Sequence, residues 1–151
     1  MKAGSRVLGI DLGERRIGLA LSDELGFTAQ GLPTLSRLSF EEDLAALGEI
    51  IRRYEVQEVV IGCPRNMDGT FGEEAEKASA FARELERALG VRTVLWDERL
   101  TTKAAERLLL EASLRRRKRR QVVDQVAAVL ILQGFLDARC QMVGGREEEE
   151  G

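Results

Sequence analysis

The stretch Gly9-Ile-Asp-Leu-Gly-Glu-Arg-Arg-Ile-Gly-Leu-Ala-Leu-Ser-Asp23, GIDLGERRIGLALSD, decides the fold. Residues 6–12 and 17–22 are two strand-like apolar runs. Gly13-Glu-Arg-Arg16 between them is short enough for a hairpin. Asp11 interrupts the first run near its end. A turn-starting aspartate is one explanation. The other is that the small residues around it, Gly9 and Gly13 on its own face with Gly18 and Ala20 on the next strand, leave room for a ligand or hydrated cation.

Outward from the hairpin, a third strand is expected around 27–35, at a sheet edge because Pro33 cannot donate to a ladder. Ser39-Phe-Glu-Glu42 is a capping box. The helix after it has Phe40, Leu44, Leu47, Ile51 and Tyr54 on one inward stripe. Residues 58–62 form a short apolar run of the kind buried on both sheet faces. The loop Cys63-Pro-Arg-Asn-Met-Asp-Gly-Thr70 follows. A helix over 73–89 stops at Gly90, and 91–96 make the next strand. Thr101 or Thr102 caps a helix to about 112. Residues 122–138 form a helix apolar nearly all round, expected to be deeply buried.

The order β-β-β-α-β-α-β-α-α gives an α/β fold, a five-stranded mixed sheet with three antiparallel strands, then parallel ones, flanked by helices. Strands one, four and five run parallel, so their C-terminal ends share one edge, where such folds place ligands. Asp11, the 63–70 loop, and Asp97 with Glu98 all fall on that edge. The chain of 151 residues is long enough for one domain, residues 1–139, followed by an acidic tail, 140–151, expected to be disordered.

Charge and composition narrow the chemistry. The net charge of −3 is that of the tail alone, Arg146-Glu-Glu-Glu-Glu-Gly151, so the rest of the chain is balanced. Within it lies Arg115-Arg-Arg-Lys-Arg-Arg120, a solvated connector or a local field for a polyanion. There is no histidine, which removes Ser-His-Asp and Cys-His catalysis and histidine-rich zinc sites. No apolar run approaches the ~18 residues of a membrane span, and no signal peptide is expected at the N-terminus. Cys63 and Cys140 form no C-x-x-C, so packing thiols in a reducing cytoplasm are expected.

Three carboxylates then stand out. Asp11 and Glu98 on one edge repel unless a cation, or Arg99, lies between them. Asp124, in VVDQVAA, is either a first-turn acid complementing the helix dipole or an acid facing the sheet, where Ala127 and Ala128 allow close approach. Carboxylates without histidine suit Mg²⁺ or Mn²⁺, and two such ions support phosphodiester hydrolysis. Arg116, Arg117, Lys118, Arg119 and Arg120 immediately precede Asp124 and can hold a nucleic-acid backbone. Asn66 and Asp68-Gly69 are turn residues by default, with Asn66 and Thr70 also candidates for substrate contact.

GIDLGERRIGLALSD at 9–23, GCPRNMDGT at 62–70, DERLTT at 97–102 and VDQVAAVLILQGFL at 123–136 together resemble the pre-16S rRNA nuclease family. This family, also called YqgF-type or Holliday-junction-resolvase-like, sits in the ribonuclease H-like superfamily. The resemblance implies a ribonuclease H-like sheet and catalytic acids at Asp11, Glu98 and Asp124. It further implies action in the bacterial cytoplasm on the 5′ end of 16S rRNA precursor, with ribosomal particles as a possible partner. Asp11 would bridge two cations, with Glu98 and Asp124 completing one side each. The basic connector, Arg15, Arg16 and Arg65 would hold the backbone. Arg65 departs from the family, where an apolar residue is usual. The alternatives are a four-way DNA junction as substrate, a non-catalytic RNA- or ribosome-binding module, and the phosphate-cradling hairpin of two-domain ATPases. A junction substrate favours a symmetric homodimer, whereas an rRNA end allows a monomer.

Overall fold

The chain folds around a five-stranded sheet. The computed structural model describes residues 6–64, 68, 70, 72–97 and 125–139. Arg65, Asn66, Glu98, Asp124, the basic run 115–120, the helix expected up to about 112 and the tail lie outside the described residues.

The strands are β1 (Arg6–Leu12), β2 (Arg16–Ser22), β3 (Ala29–Ser36), β4 (Val56–Cys63) and β5 (Arg92–Asp97), with helices α1 (Phe40–Arg53) and α2 (Glu73–Leu89) between them. A third helix, α3, covers 125–139. The spatial order is β3-β2-β1-β4-β5. β1 pairs antiparallel with β2, and β2 with β3, while β1, β4 and β5 run parallel. This is the mixed sheet expected from the element order. β3 is an edge strand, as Pro33 requires, and its pairing with β2 slips between Ile17 and Leu19. One extra β3 residue is accommodated there, beside the proline that cannot donate.

Ser39 caps α1: its Oγ accepts the Glu42 N–H at 3.1 Å and donates to Glu42 Oε1 at 3.3 Å. α2 spans the expected residues and ends on Gly90 at φ 67°, whose N–H donates to the Glu86 carbonyl at 2.9 Å. A left-handed residue there costs least as glycine.

Side-chain alternation on the strands builds two cores. Leu8, Ile10, Ile17, Leu19, Val59 and Ile61 point to one face, where Leu47 of α1 and Ala78, Phe81, Ala82 and Leu85 of α2 cover them. Val7, Ala20 and Val60 point to the other, beneath Ala128, Ile131, Leu132, Phe135 and Leu136 of α3. α3 is deeply buried, as its nearly continuous apolar sequence implies. Phe40 departs from expectation. It begins the inward stripe of α1 and meets Phe81 edge-on, yet remains 40% exposed at the first turn of the helix.

The small residues of the hairpin have an unexpected use. Gly31, Ala20, Gly9 and Val60 are adjacent across four strands. A Cβ at Gly9 would lie 2.7 Å from Leu132 Cβ, and one at Gly31 would touch the Gln125 side chain at 3.4 Å. At Gly13 it would lie 2.7 Å from the Arg16 carbonyl, the acceptor of the Gly13 N–H. So Gly9 clears space for α3, and Gly13 for the turn, rather than for a bound ligand. The expectation of a ligand-clearing row is corrected at these two positions.

Candidate functional site

Asp11 is the next residue to last of β1, at the sheet edge where β1, β4 and β5 end together. Alternation places it on the α3 face. Its antiparallel partner on β2 is Gly18. On β4, Gly62 follows Ile61, the partner of Ile10. Asp11 is therefore flanked by a glycine on each neighbouring strand. Of the small residues expected around Asp11, Gly18 is its direct neighbour in the sheet, whereas Gly9 and Gly13 serve the fold.

Asp11 borders a cleft of about 240 Å³ with Gly13, Glu14, Arg37, Glu74 and Lys77. The cleft lies between the β1–β2 turn and the N-terminal turn of α2. Its charges are mixed: Asp11, Glu14 and Glu74 against Arg37 and Lys77. Lys77 Nζ approaches Glu74 Oε1 at 3.5 Å, a surface i,i+3 pair. Arg37 is built into the wall. Its N–H donates to the Arg15 carbonyl at 2.8 Å, and its Nη1 donates to the Gly13 carbonyl at 2.9 Å. Its Nε faces Asp43 Oδ2 at 3.5 Å, and Asp43 also accepts the Leu38 N–H at 3.1 Å. Asp43 is thus a buried carboxylate of α1 that fixes Arg37, which in turn fixes the turn beside Asp11.

Of the expected cation contacts, Arg15 is exposed on the turn and Arg16 is half-buried at the start of β2; neither lines the cleft. Asp97 ends β5 and pairs with Cys63 of β4. β5 lies two strands from β1, so its end is about 10 Å from Asp11 at usual strand spacing. Glu98 follows Asp97 in the chain. Asp124 immediately precedes Gln125, whose Nε2 donates to the Leu32 carbonyl at 2.7 Å and ties this end of α3 to β3. Gln133 ties the helix to β3 again, accepting from Ala29 N–H at 3.0 Å and donating to the Phe27 carbonyl at 2.9 Å. Among the described residues no three His, Cys, Asp or Glu side chains are grouped for a metal, since two of the three expected ligands lie outside them. Asp11, the one expected ligand that is described, offers carboxylate oxygen, the donor type that suits a hard divalent cation. Cys63 is buried at the end of β4, consistent with packing. No described helix is long and apolar enough to cross a membrane.

Arg37, Glu74 and Lys77 were not singled out by the sequence pattern. The available signals were weak: Arg37 stands two residues before a capping serine, and Glu74 and Lys77 share one face at the start of a helix.

A family model described as RuvX, Holliday junction resolvase, matches residues 5–138. The chain belongs to this family. A relative from Moorella thermoacetica, named "Putative pre-16S rRNA nuclease", is 58% identical over 132 residues, covering 87% of this chain and 94% of its own. One of the same name from Symbiobacterium thermophilum is 55% identical over 134 residues, covering 89% and 93%. Among solved structures, RuvC of T. thermophilus in complex with a Holliday junction substrate superposes with a TM-score of 0.61 at 16% identity, covering 91% of this chain and 96% of that one. A fowlpox virus resolvase bound to Holliday junction DNA gives 0.55 at 10% identity, covering 88% and 97%. At these identities the likeness is one of fold, and it is the ribonuclease H-like fold that the motifs implied. Membership in the RuvX family sets aside the ATPase alternative for the hairpin.

Proposed function

We propose that the protein is a metal-dependent nuclease of the bacterial cytoplasm that processes the 5′ end of pre-16S rRNA. The observation that carries this is the setting of Asp11, on a parallel sheet edge between Gly18 and Gly62 and lining the cleft. High identity to relatives named for pre-16S rRNA favours RNA as substrate. The family description favours a four-way DNA junction as the second reading.

Asp11, Glu98 and Asp124 would hold Mg²⁺ or Mn²⁺. When bound, such ions activate water and offset charge on the leaving oxygen of a phosphodiester. The chain's own part is to place Asp11 rigidly at the sheet edge, through the hairpin and the Arg37 brace, and to hold the substrate backbone. Arg15, Arg16, Arg65, Asn66 and the basic run 115–120 are proposed for the latter. Binding through them weakens as salt rises, because counterion release drives it.

The test is incubation with 16S precursor RNA, and separately with a four-way DNA junction, in Mn²⁺ or EDTA. RNA cleavage that needs the metal and vanishes in Asp11→Asn, with the thermal midpoint retained, is the expected result. Wild-type rates in Asp11→Asn overturn the site. Cleavage of the junction alone moves the assignment to DNA.

A further inference from the structure

We propose that the groove over Phe40 is the subsite for an unpaired nucleobase adjoining the phosphodiester that is cut. This rests on the nuclease reading above and adds to it the form of the strand. The groove, of about 270 Å³, has Leu12, Phe40, Ala80 and Phe81 as its apolar surface and Arg37 and Lys77 on its rim. Leu12, Arg37 and Lys77 also line the Asp11 cleft, so the two depressions adjoin. Leu12 directly follows Asp11 and faces the opposite side of the sheet. A strand with its phosphate at Asp11 therefore crosses the sheet edge with a neighbouring nucleotide over Leu12 and Phe40.

The Phe40 ring suits a base. It meets Phe81 in a T-shaped contact, centroids 5.9 Å apart and planes at 83°, while remaining 40% exposed. Phe81 itself is 4% exposed, so one ring is anchored in the core and holds the other on the surface. An aromatic ring fixed in this way is a stacking platform for any base.

Charge selects which part of a nucleotide lies where. Lys77 stands on the ridge shared by cleft and groove, and its side chain is half exposed. Its pair with Glu74 is a weak surface one that a phosphate can replace. Glu84 closes the groove on the α2 side. A phosphate seated there would face a carboxylate, whereas a neutral base would not. The groove thus takes the base, and Lys77 the backbone beside it. A duplex keeps its base faces within the stack, so this subsite selects unpaired nucleotides.

The test uses single-stranded RNA oligonucleotides with one 2-aminopurine at successive positions, titrated with the full chain in EDTA, and cleavage of the unlabelled oligonucleotide in Mn²⁺. Stacking on Phe40 quenches 2-aminopurine at one position, next to the cut. Phe40→Leu keeps apolar volume without a ring. It should lose that quench and bind about 5- to 100-fold more weakly while remaining folded at the assay temperature. Phe40→Trp should restore both. Phe27→Leu, an exposed aromatic on the β2–β3 turn at the other end of the sheet, should change neither. The same quench with a DNA oligonucleotide supports base recognition without choice of sugar. Equal quench and affinity in Phe40→Leu overturn the subsite, as does an equal loss of affinity when that position is abasic. If the wild type cuts RNA and Phe40→Leu cuts it with the same KM, the subsite falls and the nuclease reading stands. If the wild type neither binds nor cuts RNA, both fall.

Discussion

Gly9 lies directly beneath Leu132, so close that a methyl group on Gly9 would be 2.7 Å from Leu132 Cβ and 3.2 Å from the Ala128 carbonyl oxygen. Both neighbours belong to a helix that is locked down along its length, and neither is the tip of a flexible side chain. Gly9→Ala therefore has to lift α3 off the sheet, at a cost of about 1–3 kcal/mol. Urea unfolding followed by Trp96, the only tryptophan, reports this directly, because Trp96 meets Phe135 of α3 edge-on at 6.1 Å. An unchanged midpoint would show that α3 does not rest on β1. The variant should also lose cleavage, since α3 begins beside Asp124 in the chain.

At the far end of the sheet, Glu58 of β4 is buried and takes two arginines. Arg139 of α3 lies at 2.6 Å and Arg92 of β5 at 3.6 Å. The Arg139 guanidinium also lies 4.5 Å from the centre of the Phe135 ring. Glu58→Gln keeps the shape and removes the charge that both cations face. The expected loss is about 1–3 kcal/mol in chemical unfolding. Arg92→Ala alone should cost much less, because that partner is exposed and distant. Equal losses for the two would mean that Arg139 is not the main partner.

Asp23 closes the β2–β3 turn. The Thr28 and Phe27 N–H groups donate to its Oδ1 at 3.0 and 2.7 Å, and these bonds hold its carboxyl below the ordinary aspartate value. A lowered folded-state pKa means that the ionised form favours folding. Its contribution is complete above the unfolded-state pKa and is lost as pH falls through the folded one. The stability difference between wild type and Asp23→Ala should therefore shrink on acidification below about pH 4. A difference that stays constant down to pH 2 would assign the effect to the loop backbone instead.

The strands and helices were legible because each carries its own local signal. β1 begins and ends where the apolar run does, Ser39 marks α1, and Gly90 stops α2. The parallel ends of β1, β4 and β5 followed from the element order, and with them the position of Asp11. The purpose of the glycines was not legible. Whether Gly9 faces a ligand or a helix depends on which residue packs above it, here Leu132, more than a hundred positions away. The exposure of Phe40 was not legible for a similar reason. Helical spacing says which face it shares with Leu47, but not how much of the ring Phe81 leaves uncovered. Arg37 carries no periodic signal, and its importance comes from Gly13 and Asp43, which only the fold brings together.

Arg37 links the buried Asp43 to the turn that follows Asp11, and this gives a prediction that separates two roles. Arg37→Met removes the bond to the Gly13 carbonyl and takes the guanidinium from the Asp43 carboxylate, which is 4% exposed and keeps the Leu38 N–H, so stability should fall by about 1–3 kcal/mol. If Arg37 acts by fixing the turn, kcat for RNA cleavage drops while KM changes little, since what is lost is the placement of Asp11 rather than a contact with RNA. Asp43→Asn is the decisive companion. It leaves the guanidinium in place but loosens its hold, so a positioning role lowers kcat in this variant as well. If Arg37 instead contacts the substrate backbone, Arg37→Met raises KM and flattens the salt dependence of binding. Asp43→Asn then leaves KM unaltered, because it retains the charge that the phosphate meets.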